Sequence, residues 1–351
     1  MADPLSRYRA SGADPPFGDP LPAHDVAMEG YFWRFTDPGG RRVVLALNGV
    51  NRAADGHWST VGLAAHPGGF LRTSAEPWGE ADPAGLGARA GRGGGTDEET
   101  FRGTRDRLVV DLAPDARLQV RITDPVAWPR RRFGGSSFFQ LLPRLNQYWH
   151  PWLLGGTAHG EATLGERTWE IDGWTAYAEK NWGRGGFPDS WWWGQAQGFN
   201  ERSACVAFAG GEVTTGRLRT RVTALVVLLP DGRLVRLGDP LLSPVHSEVA
   251  DEHWQLHGRG GQWTVEVSAH APLSAAHVLP VPLPAERRNV PGAIEHLAGT
   301  MHVRVRRSGI LCWEGESRLA GLEHGGIDRA RAEVLRRGGS ADDTEAAPRV
   351  R

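Results

Sequence analysis

The sequence predicts an all-β protein of barrel or sandwich type, and three observations carry that expectation. Short apolar runs recur in pairs around turn signals: Val222 to Leu229 and Leu234 to Leu237 flank Pro230-Asp231-Gly232, and Met301 to Arg306 and Ile310 to Trp313 flank Arg307-Ser308-Gly309. Apolar and polar residues alternate at Leu118, Val120 and Ile122, the period of a half-buried strand. The 47 glycines and 24 prolines in 351 residues favour turns over long helices.

In chain order, residues 1–27 are rich in Pro, Asp, Gly and Ala and are expected to form a loose surface arm. Glu29 to Phe35 opens the ordered body. Asp37-Pro38-Gly39-Gly40 turns the chain, and Arg42 to Asn48 returns as a strand. Asp55-Gly56 breaks it again before His57 to Ala64. Residues 75–99 carry Gly93-Gly94-Gly95 and read as a flexible loop; no Lys-Ser/Thr follows, so this is not a phosphate loop. Leu108 to Leu112 and Leu118 to Thr123 flank Ala113-Pro114-Asp115. After Arg130, Arg131 and Arg132, the residues Phe138, Leu141, Leu142, Leu145 and Trp149 fit a helical stripe, against which Pro143 argues. Two readings stand for residues 138–152: a segment packed on the barrel, or a lid or peripheral membrane contact beside a basic cluster. Trp254 to His257 and Trp263 to Val267 give a further hairpin. Ile327 to Arg337 suits one terminal helix, and residues 338–351 are expected to be disordered.

Composition narrows the partners. A net charge of −1 points to no nucleic acid. Cys205 and Cys312 lack metal-type spacing and read as small apolar residues, and no His/Asp/Glu cluster has metal-ligand spacing. There is no basic start with an apolar run behind it and no run of 18 apolar residues, so a cytoplasmic protein is expected. Tryptophan is over-used, 15 against 4 tyrosines, which suggests an indole-rich pocket.

Six of those tryptophans fall between Trp169 and Phe199, interleaved with Glu170, Asp172, Glu179 and Asp189. As a strand, this stretch puts Tyr177, Glu179 and Asn181 on one face and Ala178, Lys180 and Trp182 on the other. Gly183, Gly185 and Gly186 permit a turn. Beyond Pro188, Trp191, Trp193 and Gln195 share a face. Indole walls suit a large apolar ligand and shelter positive charge. A carboxyl among them is desolvated and keeps its proton towards neutral pH. Acid plus aromatic cage is what alkene protonation requires. Glu179 is the first candidate acid, unless it pairs with Lys180 or an arginine. Asp189 is the second, unless it caps its turn; Asp172 reads as a turn residue. Tyr177 and Lys180 could orient a phenolic oxygen, and His150 or His159 could accept a phenol proton, or each could be a plain structural residue.

Tyr177-Ala178-Glu179-Lys180-Asn181-Trp182-Gly183, Gly186-Phe187-Pro188, and then Trp191, Trp193 and Gln195 resemble the signature of the tocopherol cyclase family. Glu29-Gly30-Tyr31-Phe32, Leu154-Gly155-Gly156, Gly165-Glu166-Arg167 and Leu322-Glu323-His324-Gly325-Gly326 resemble its flanking strands, so the likeness covers roughly residues 28–326. The resemblance implies two lipocalin-like antiparallel β-barrels packed together, with a pocket at or near their junction. The division expected is residues 28–200 and 201–326, with a helix and tail at 327–351. It also implies a cofactor-free cyclase that protonates the prenyl chain of a hydroquinone and lets the phenol oxygen capture the tertiary cation. The partner is then a hydrophobic prenylated aromatic molecule. Catalytic roles are expected at Glu179, Asp189, Tyr177 and Lys180. Substrate contacts are expected from Trp182, Trp191, Trp193, Gln195, Asn181, Trp33, Tyr148 and His150. The turn Gly183-Arg184-Gly185-Gly186 is one residue longer than the plant pattern, and Asp189-Ser190 stands where basic residues are expected. A hydratase or pericyclase on the same scaffold, or an isoprenoid carrier, are the alternatives.

Overall fold

A computed structural model of the chain describes residues 8, 26–39, 41–82, 87–93, 98–129, 132–142, 145–215, 218–340 and 345–347. Most of the arm, together with Gly94, Gly95, Arg130, Arg131, Pro143 and Arg144, lies outside the described residues. Of the arm, Tyr8 is buried; its hydroxyl accepts from the Gly134 backbone N–H at 2.5 Å.

Two antiparallel sheets build the molecule. The first holds β1 (Met28–Asp37), β2 (Arg42–Ala53), β3 (Gly56–His66), β4 (Phe70–Glu76), β5 (Trp78–Asp82), β6 (Gly87–Gly91), β7 (Glu99–Gly103), β8 (Arg107–Ala113), β9 (Ala116–Ala127), β10 (Gln147–Leu164) and β11 (Arg167–Gly183). Their order in space is β4-β3-β2-β1-β11-β10-β9-β8-β7-β6-β5, so the first strand and the last meet in the middle. The second sheet holds β12 (Trp191–Ala196), β13 (Cys205–Thr215), β14 (Leu218–Leu228), β15 (Leu234–Leu237), β16 (Val245–Val249), β17 (His253–Gly260), β18 (Trp263–His270), β19 (His277–Leu283), β20 (Arg288–Arg307), β21 (Ile310–Gly325) and β22 (Glu345–Ala346). Its order is β15-β14-β13-β12-β21-β20-β18-β17-β16, with β19 and β22 also on β20. Both sheets curl in lipocalin fashion: β3 touches β5 in the first, β14 touches β16 in the second.

Side-chain alternation gives each sheet two buried faces. Tyr31, Trp33 and Phe35 of β1 point into the first barrel with Val44, Val61, Phe101 and Trp152. Trp192 of β12 points into the second with Phe208, Trp254 and Val303. The outer faces pack on one another through smaller clusters: Tyr177, Trp193, Ala207 and Val226 in one, Val43, Leu45, Leu297 and Leu319 in another, Trp191, Leu279 and Ala293 in a third. At about 1.5–3 kcal/mol per large apolar side chain fully buried, these clusters favour the packing of one barrel's outer face on the other.

Four sequence expectations differ from what is observed. The chain crosses between sheets after Gly183, and β12, which the division at residue 200 leaves with the first barrel, pairs with β13 and β21. Residues 75–99 contain β5 and β6, whose Ala88 and Ala90 are small enough to sit inside the first barrel. The stripe from Phe138 to Trp149 is not helical: one 3-10 turn spans Ser137–Leu141, and Tyr148 already pairs with Trp182 in β10. Within the expected disordered tail, β22 pairs with Arg288 and Asn289, and Ala347 is buried. The terminal helix, α1, spans Ile327–Arg336.

Candidate active site

A cavity of about 470 Å³ lies between the outer faces of the two sheets, within the range of small-molecule sites. β1 gives it Gly30 and Phe32, β10 Tyr148 and Trp149, β11 Glu179 and Asn181, β12 Trp191 and Trp193, and β21 Glu323. Its position follows from register. Phe32 lies opposite Glu179 on β1 and β11, and Trp193 opposite Glu323 on β12 and β21, so both pairs project into the same junction.

Glu179 is buried, and two donors address one of its oxygens. Tyr177 Oη donates to Oε2 at 2.5 Å and Trp193 Nε1 donates to it at 2.9 Å. Burial pushes the carboxyl up to about 7; the tyrosine and indole donors hold it below where burial alone would put it. The Phe32 ring meets Trp193 edge-on at 5.0 Å and closes the shell.

Trp191 crosses Gly325 to reach the next carboxyl: its Nε1 donates to Glu323 Oε1. The glycine is required, because a Cβ on it would lie 1.8 Å from Trp191 Cε2. Gly325→Ala is therefore expected to push the indole off Glu323 and into the cavity. It should lower ligand affinity at least tenfold for about 1–3 kcal/mol of stability, as read by quenching of tryptophan fluorescence and by urea unfolding. Gly186, at φ +93°, gives the crossover between sheets its left-handed corner.

Behind the cavity wall lies Arg34, fully buried on β1. Its Nη1 donates to Thr36 Oγ1 and Gln195 Oε1, each at 3.0 Å. Its Nη2 donates to the carbonyls of Leu297 at 2.7 Å and Leu319 at 2.6 Å, tying the first barrel to the second. Glu295, register partner of Glu323, is buried beside it. Burial and the neighbouring Glu323 charge raise the Glu295 carboxyl well above the ordinary range, against the pull of Arg34. Burial pushes Glu323 up to about 7. Among the described residues, three carboxyls here meet one guanidinium. The junction is neutral only when two of the carboxyls keep their protons.

Of the residues expected from sequence, Glu179, Asn181, Tyr148, Trp191 and Trp193 are on the cavity wall. Tyr177 and Gln195 stand one layer behind, on Glu179 and on Arg34. The others lie elsewhere. Lys180 is on the opposite face of β11 with its Nζ 5.1 Å from the Trp182 ring, and Trp182 stacks on Tyr148 at 5.5 Å outside the wall. Trp33 belongs to the first barrel's core. His150 is buried against Trp128 at 5.4 Å. Asp189 is exposed and pairs with Arg219 at 3.2 Å, and His159 pairs with Asp172 on the surface at 2.8 Å. Sequence reasoning passed over Arg34, Glu295 and Glu323 as site residues. Each alternates with residues that point into its own barrel, so from the sequence alone it reads as a solvent-facing charge. Among the described residues no group of His, Cys, Asp or Glu is arranged to hold a metal ion, and no helix is long and apolar enough to cross a membrane.

Fold and site together define a double lipocalin-like β-barrel protein with an aromatic, acid-bearing cavity at the junction. The chain belongs to the tocopherol cyclase-like family, whose profile matches residues 75–326. A probable chloroplastic tocopherol cyclase of Oryza sativa subsp. japonica is 28% identical over 138 residues, which is 38% of this chain and 29% of that protein's length. Among solved structures, CghA superposes with a TM-score of 0.57 at 13% identity, over 86% of this chain and 88% of that one. The kievitone hydratase of Nectria haematococca gives 0.51 at 10% identity, over 85% and 88%. At such identities the likeness is one of fold.

Proposed function

We propose that the protein is a cyclase that closes a chroman ring on a prenylated phenol or hydroquinone by protonating the first double bond of the prenyl chain. The observation that carries this reading is Glu179, a buried carboxyl held near pKa 7 against tryptophan and phenylalanine rings on the wall of an apolar cavity. A protonated Glu179 gives its proton to the CH carbon of the alkene. The tertiary cation that results faces indoles, each worth roughly 0.5–2 kcal/mol to a desolvated cation. The phenol oxygen then forms the C–O bond and releases its own proton. Atoms and charge balance with no oxidant or reductant, so the chemistry calls for no cofactor. Family membership supports the reaction class, and the prenyl length is set by how the chain fills the cavity.

The test is incubation with a short-chain prenyl hydroquinone and mass analysis of the product. Cyclisation conserves mass and removes the alkene. Addition of 18 mass units would make the protein a hydratase, and return of intact ligand despite binding would make it a carrier.

We also propose that the cavity mouth rests on a lipid surface. The segment 132–142 lines the cavity with Phe139 and Leu142 while exposing Phe133, Phe138 and Leu141. The adjoining turn lines it with Pro240 while leaving Leu241 and Leu242 85% and 77% exposed. The two segments meet where Arg236 Nε donates to the Gly134 carbonyl at 3.0 Å. Leu241→Glu with Leu242→Glu is expected to weaken co-flotation with phosphatidylcholine vesicles at least fivefold, and unchanged flotation would refute the contact.

A further inference from the structure

The cyclase reading leaves one proton without a destination. Glu179 supplies a proton to carbon, and the phenol loses another as the C–O bond forms; when the two add across opposite faces of the alkene, the phenol oxygen lies away from Glu179 and a second base takes its proton. The cavity wall offers one more carboxyl, Glu323. Resting on that reading, we infer that Glu323 is the base that takes the phenol proton as the ring closes, with Glu295 as the residue that positions it.

The geometry separates the two carboxyls. Glu179 is on β11 of the first barrel, and Glu323 is on β21 of the second, so each barrel contributes one carboxyl to the cavity wall. Trp191 Nε1 donates to Glu323 as Trp193 Nε1 does to Glu179, so what sets Glu323 apart is its carboxyl neighbour across the ladder. Glu295, its partner across the ladder, receives no hydrogen bond from an N–H or hydroxyl donor among the described residues at either oxygen. A buried carboxyl with no such donor keeps its proton, and its O–H then points to Glu323 as acceptor. With Arg34 charged, the junction is neutral in the state from which the reaction starts: Glu179 and Glu295 protonated and Glu323 ionised.

During turnover the Glu179 proton forms a C–H bond as the π bond breaks. The phenol oxygen forms the C–O bond as its O–H breaks towards the Glu323 carboxylate. Glu323 ends protonated and Glu179 ionised, and exchange with water restores both. Nothing is oxidised or reduced.

The test uses the full chain with geranyl hydroquinone in deuterated water. In Glu323→Gln the cation still forms but closes slowly, and it reverts by losing a proton. Chroman formation should fall at least tenfold while deuterium still enters the recovered uncyclised substrate. Glu323→Asp should regain part of the ring closure, and fluorescence quenching should show that both variants bind the ligand. The pH profile supplies a readout that a structural role would not move. Glu323 must be ionised, so wild-type closure declines as the pH falls through about 7, and this acid limb should vanish in Glu323→Gln. The ionisable groups facing Glu323 are Glu295 and Glu179, with Arg34 beyond Glu295; the limb therefore reports the coupled set. Ring closure within twofold of wild type in Glu323→Gln would overturn the assignment. So would loss of labelling and closure together, the behaviour expected of Glu179→Gln. A wild-type protein that gives neither ring nor label fails the cyclase reading itself.

Discussion

Glu179→Gln is expected to lower the rate of ring closure by roughly 10²–10⁴-fold, the usual contribution of a positioned general acid, while ligand binding persists. The amide fills the same space and still accepts from Tyr177 and Trp193, so lost activity reports the proton and not the shape. Stability should move the other way. Burial raises the carboxyl from 4.5 to about 7, so between those values the folded protein holds a proton that the unfolded chain has released. The associated stability is complete below the lower value and is lost as the pH climbs through the upper one. Glu179→Gln is uncharged throughout. Its Tm should therefore exceed that of wild type by a few degrees at about pH 8 and approach it at about pH 5. Scanning calorimetry at the two pH values checks the sign. Activity follows the same proton on its alkaline side: the wild-type rate falls as the pH rises above about 7 because the acid form disappears, which with the acid limb set by Glu323 gives a bell-shaped profile centred near 7.

The second large effect is structural. Arg34→Ala is expected to cost about 3–5 kcal/mol, the penalty for stripping a buried charge cluster of one partner. The carbonyls of Leu297 and Leu319 and the amide oxygen of Gln195 lose their donors together, and three buried carboxyls lose their cation. Urea unfolding gives the magnitude. Glu323→Gln should recover part of it in the Arg34→Ala background, since it removes the ionised carboxylate whose charge Arg34 balances; strict additivity would show that the two residues do not interact.

Much of the architecture was legible because β-structure writes itself in period two. Leu118, Val120 and Ile122 point inward in β9 as their alternation requires, and the turn signals at Ala113-Pro114-Asp115 and Pro230-Asp231-Gly232 fall between observed strands. The faces of β11 were legible for the same reason: Tyr177, Glu179 and Asn181 look towards the junction while Lys180 and Trp182 look away. The sheet to which a strand belongs was not legible. β11 and β12 read as consecutive strands about a glycine turn, yet they belong to different barrels, and only long-range pairing with β13 and β21 shows it. The same limit hid half the site. Glu295 and Glu323 lie far from Glu179 in sequence, and what unites them with Arg34 is the packing of one barrel's outer face on the other. The segment 138–149 misled for a local reason. Aromatic and leucine residues at helical spacing occur by chance where a 3-10 turn runs into a strand, and the chain followed tertiary pairing to β11.

The most direct measurement of the central claim is the position of the deuterium label after one turnover of a short-chain prenyl hydroquinone in deuterated water. The account predicts a chroman bearing a single non-exchangeable deuterium on the ring carbon next to the new ether carbon, formed by wild type and not by Glu179→Gln. A chroman without that label, or one formed equally fast by Glu179→Gln, would contradict it.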